Sequence, residues 1–185
     1  NSSWDALLLS AFFNTEIGFN LQSDTSSNDI GKGSKIHATN LHMHGLTNKH
    51  SHELTADECQ WVEAHIADAR KLLDDDRFQT AVHCLASYRW HSMPRVKLAV
   101  LWAGIEGLFG ASSEIRFRIS LYIARFLHNT DVTKQRAIFN AVKKLYDSRS
   151  AAVHGSKVKG DIALAVKESA ELLRSIIMQC VTNKS

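Results

Sequence analysis

The chain predicts an all-α fold, a five- to six-helix bundle behind an irregular N-terminal extension. Three observations carry this. A single proline stands among 185 residues, so little interrupts a helix. From Thr55 onward, apolar residues recur at helical spacing in successive segments, most of them bounded by a capping or stop residue. A composition of 44% hydrophobic and 22% charged residues is that of an ordinary globular domain, long enough to bury a core.

Residues 1–53 are expected to be an extension or linker from a preceding domain, and 54–185 the helical domain. The start at Asn1 rather than Met fits a fragment cut from a longer protein. Within the extension, WDALLLSAFF and IGFNL are apolar and are read as a helix and a strand, or as the tail of the preceding domain. SDTSSNDIGKGSK is a loop by composition, and IHATNLHMH a short strand or extended arm.

Thr55 with Glu58 forms a capping-box pattern and opens a helix over about 56–73, with Trp61, Val62, His65, Ile66, Ala69, Leu72 and Leu73 on one side. Asp74–Asp76 breaks it and caps a helix over about 77–91, whose buried side carries Phe78, Ala81, Val82, Leu85 and Tyr88 or Trp90. Pro94 fits the first turn of a helix over about 95–109, apolar nearly all round and so expected at the bundle centre. Its one interior charge, Glu106, requires a cation or several donors. Gly110 stops it, and Ser112 or Ser113 is placed to cap the next, about 114–128, with Ile115, Ile119, Tyr122, Ile123, Phe126 and Leu127 inward. Asp131 or Thr133 opens a fifth, with Ile138, Val142, Leu145 and Tyr146 inward, which runs to Arg149–His154 and ends at Gly155. Asp161 caps the last, about 162–181, carrying Leu164, Val166, Ala170, Leu173, Ile176, Ile177 and Val181.

A net charge of +3 permits an acidic partner without demanding one, and the ten histidines add positive charge below about pH 6.5. Cys59, Cys84 and Cys180 are odd in number and far apart, which fits buried thiols of a reducing, cytoplasmic compartment. No apolar run reaches the roughly 18 residues of a membrane span, and Ala6–Phe13 lacks the basic leader and cleavage site of a signal peptide. His37, His42, His44, His50 and His52 invite a metal reading, but only Glu53 accompanies them, so no metal and no cofactor is expected.

Three segments from about Phe78 to Val181 carry a family likeness: RVKLAVLWAGIEGLFG (95–110), SSEIRFRISLYIARFL (112–127) and KKLYDSRSAAVHG (143–155). In this order and spacing they resemble the HEPN superfamily, most closely its Apea-like branch. The resemblance implies a dimerising helical domain, often a metal-independent ribonuclease of toxin–antitoxin or phage-defence systems. It makes the Arg-x4–6-His pattern the active site, here Arg149 and His154. Arg77-x5-His83 also matches the pattern. The Tyr-Asp-Ser leader, the trailing Gly155 and the upstream Glu106 helix single out Arg149 and His154. Where many catalytic members carry a larger polar residue after the arginine, this chain has Ser150.

Metal-free RNA cleavage needs a base for the 2′-hydroxyl, an acid for the leaving oxygen and a cation for the phosphorane. Histidine titrates near neutral pH and serves the proton steps. Arginine's planar fork serves the phosphate. If the segment is helical, Arg149 and His154 lie roughly 140° apart on the wheel. A two-fold homodimer would bring two copies of each into one cleft. Glu106 is expected to position or neutralise Arg149, and Ser150 to support it. Arg116, Arg118 and Arg125 form a solvated face or an RNA path, tRNA being one candidate. The competing expectation is a silent module that dimerises or binds a nucleotide, RNA or protein.

Overall fold

The protein is described by a computed structural model covering residues 2–15, 17, 21–38, 53–110 and 115–183. Among these residues seven α-helices form: α1 (Ser2–Phe12), α2 (Ala56–Leu72), α3 (Asp76–Ser87), α4 (Pro94–Phe109), α5 (Ile115–Leu127), α6 (Val132–Val153) and α7 (Ile162–Asn183). A 3-10 turn, Tyr88–Trp90, follows α3. β1 (Leu21–Ser23) and β2 (Ile36–Ala38) pair antiparallel, with Gln22 opposite His37. The fold is all-α, with one helix more than the upper count expected.

Local chemistry explains most boundaries. At α2 the capping box forms in full: the Thr55 hydroxyl accepts from the Glu58 N–H, and the Glu58 carboxylate accepts from the Thr55 N–H. The Asp75 carboxylate accepts from the Arg77 and Phe78 amides at α3, and that of Asp131 from the Lys134 amide at α6. Pro94 sits in the first turn of α4, and Gly110 ends it at φ +58°, a left-handed conformation that glycine adopts without strain. Ser112 and Ser113, expected to cap α5, lie outside the described residues.

α4 is the hub, packing against α3, α5, α6 and α7. Its Leu98, Leu101, Trp102 and Ile105 are fully buried with Leu85, Ile119, Ile123, Leu173, Ile176 and Ile177. Gly104 permits the close approach: a Cβ there would lie 3.0 Å from the Cys84 Cβ and 3.3 Å from the Ala81 Cα. Within this core the Trp102 indole N–H donates to the Ser169 hydroxyl at 3.1 Å, so its one polar atom is satisfied.

Several expectations are corrected. Residues 2–12 do not stand apart from the helical domain: α1 packs against α3 and α7, with Leu8 and Phe12 buried in the common core. Phe12 meets Trp61 edge-on at 5.2 Å, and the Arg70 fork donates twice to Asp5. α4 is not covered all round, since Val96 and Ala103 are exposed on one side. Tyr122 and Leu164 are exposed, Tyr122 at the edge of the α5 stripe and Leu164 in the first turn of α7. Cys59 is exposed because it lies in the first turns of α2, a helix that buries only Ala69 completely. Cys84 is buried, and burial pushes the half-buried Cys180 thiol up to about 11.

Candidate functional site

The two central residues of the expected site meet. The Arg149 Nη2 donates to the Glu106 Oε2 at 2.8 Å, joining α6 to α4. Arg149 faces inward because its neighbours Val142, Leu145 and Ala152 form the buried stripe of α6. The two side chains retain only 21% and 23% of their exposure. Burial raises the Glu106 carboxyl above its ordinary value, and the Arg149 charge opposes that rise. The pair is one-pronged: Glu106 Oε1 and Arg149 Nε are buried and hydrogen-bond to no described protein atom. The guanidinium also sits 5.7 Å over the Tyr146 ring, and that ring meets Trp102 edge-on.

His154 is elsewhere. It is the C-cap of α6, exposed, with its N–H donating to the Ser150 carbonyl at 3.0 Å. No hydrogen bond or ion pair joins it to Arg149, as the helical wheel requires. Gly155 follows at φ +74° and turns the chain away. Ser150 is half-buried, and its carbonyl is the acceptor for His154.

One residue that sequence reasoning passed over holds this segment. Arg95, in the first turn of α4, donates through Nη1 to the carbonyls of Ala151 and Ala152, and through Nη2 to that of Ser156. The backbone is thus held on both sides of His154. A signal existed, since a cation in the first turn opposes its own helix dipole. Here it reaches the negative end of α6 instead.

Of the three arginines considered for RNA, Arg116 is exposed and pairs with Asp147 of α6 at 2.6 Å. Arg118 and Arg125 are exposed on α5. Arg77 and His83, the competing match, are both exposed on α3, with His83 set edge-on to Trp90. His42, His44, His50 and His52 lie outside the described residues, while His37 is exposed on β2. Among the described residues no three His, Cys, Asp or Glu side chains cluster to hold a metal. No helix among them is long and apolar enough to cross a membrane. An open groove of about 700 Å³ runs between α6 and α7, floored by Ile138, Val142, Leu145 and Leu172, and none of the site residues lines it.

No protein-family model, no curated protein and no solved structure matches the chain.

Proposed function

We propose that the chain is a HEPN-type, metal-independent endoribonuclease domain working as a homodimer, the effector of a phage-defence or toxin-type system. The Glu106–Arg149 pair at 2.8 Å carries this reading, because it fixes a permanent cation beside the C-terminal turn that presents His154. Arg149 would stabilise charge on the phosphorane, and Glu106 would position it. One His154 would remove the 2′-hydroxyl proton as that oxygen attacks phosphorus. The His154 of a second copy would protonate the departing 5′-oxygen, so the proton count balances.

The uncovered side of α4 supports a second copy. Val96, Ala103 and Gly107 follow one another there at helical spacing, small and apolar, next to Glu106. The silent-module reading draws on a different feature, the inward direction of Arg149, which a purely structural ion pair also explains.

The test is cleavage of several RNAs, tRNA included, by the purified chain in EDTA, beside His154→Ala and Arg149→Ala. Cutting by the parent, lost in both folded variants, is expected. A folded dimer that leaves every RNA intact would favour the silent module.

A further inference from the structure

The charge of this protein is segregated. α5 and α6 together hold eight lysines and arginines against the single Asp147, in a chain whose net charge is only +3, so the remainder is net acidic. Asp147 is itself neutralised by Arg116. On the α6 wheel Phe139, Lys143, Asp147, Ser150 and His154 fall within an arc of about 80°, one flank of the helix. Phe117 of α5 stands against that flank, 53% exposed, its ring 5.6 Å from Phe139 and nearly perpendicular to it. The Lys143 ammonium lies 5.2 Å over the Phe139 ring.

An exposed aromatic ring set among cations is the arrangement on which unpaired bases stack while lysine and arginine track the phosphates. We infer that this flank of α6, with Phe117 of α5, is a docking track for a single-stranded nucleic acid. Bases stack on Phe117, which Phe139 supports edge-on, and Lys143 meets the backbone. The strand then runs about 20 Å along the helix to His154. A duplex hides its base faces and gains only the phosphate contacts, so the track discriminates between the two forms. The inference rests on the nuclease reading only for the direction of the strand, towards His154. The binding surface stands on charge and aromatic exposure alone.

The test is fluorescence anisotropy on the whole chain with a labelled single-stranded DNA of about twelve nucleotides, which has no 2′-hydroxyl and is not cut. A duplex of equal length and a poly-glutamate competitor run beside it. Single-strand binding should be tighter than duplex binding, and poly-glutamate should compete poorly. Phe117→Ala should weaken binding roughly tenfold, with Phe117→Trp restoring it. Lys143→Gln should reduce the slope of log affinity against log salt by about 0.7. Equal binding of duplex and single strand, no binding of either, or a Phe117→Ala protein that binds like the parent overturns the track. Melting curves of the variants verify the fold, which an exposed ring leaves intact. RNA cleavage measured in parallel separates the two ideas. Binding without cleavage removes the nuclease and keeps the track, whereas cleavage indifferent to Phe117 removes the track and keeps the nuclease.

Discussion

Replacing Arg149 by methionine leaves the Glu106 carboxylate without its cation, and the loss should depend on pH. Both side chains are about four-fifths buried, between a surface pair worth at most about 1 kcal/mol and a fully buried one that costs about 3–5 kcal/mol to break. A cost of about 1–3 kcal/mol near pH 7.5 follows. Burial already holds the Glu106 carboxyl above its ordinary value of 4.5, so the folded protein binds that proton more readily than the unfolded chain. Stability from this group therefore falls as pH rises from that ordinary value through the raised one. Removing Arg149 takes away the opposing attraction and widens the window upward. Arg149→Met should thus be most damaging near neutral pH and recover at about pH 3.5, below that ordinary value, where Glu106 is mostly protonated in either state. Urea unfolding at the two pH values measures this, with a midpoint shift on the order of 1 M at the higher pH. Glu106→Gln supplies the contrast, since a stranded guanidinium cannot shed its charge and its cost should persist in acid. An Arg149→Met cost that is the same at both pH values would refute the reasoning.

Two further substitutions test the frame around the site. Gly104→Ala should cost about 1–3 kcal/mol in thermal or chemical unfolding, because the new methyl meets the Cys84 Cβ at 3.0 Å, the Leu173 Cδ2 at 3.1 Å and the Ala81 backbone at 3.3 Å; a neutral result would mean that α3 and α4 can separate freely. Arg95→Met frees three carbonyls around the end of α6 and should cost about 1–2 kcal/mol. It should also shift the His154 imidazole resonances in proton NMR, while unchanged resonances would deny Arg95 a hold on that turn.

The ends of the helices were legible wherever a side chain acts on its own backbone. Thr55 with Glu58, Asp75, Pro94, Gly110, Asp131 and Gly155 each act within a few residues, and each sits where its chemistry predicts. The Glu106–Arg149 contact was legible for a related reason: a lone carboxylate in an apolar helix needs a cation. What a helix docks against was less so. The apolar run of α1 is nearly continuous, so periodicity could not show that it joins the core of α3 and α7. Exposure at Tyr122, Leu164 and Cys59 depends on where neighbouring helices stop, which local patterns do not record. Arg95 left a trace only as a cation at the wrong end of its helix.

The geometry of Arg149 constrains how it can serve both a fold and a reaction. Glu106 takes one N–H of Nη2 and Nε is buried, so the two N–H groups of Nη1 and the second of Nη2 are left to a phosphate. A two-pronged contact then has to share Nη2 with Glu106. A phosphate at Arg149 therefore competes with Glu106 for the same fork, and protonation of Glu106 favours the phosphate. On this argument Glu106 does more than neutralise a buried cation: it holds the fork in one orientation and limits how tightly Arg149 binds any anion. His154 faces no such competition on its exposed turn. On the proposed mechanism the demand for a second copy comes both from the wheel separation of these two residues and from the need for a second imidazole as the acid.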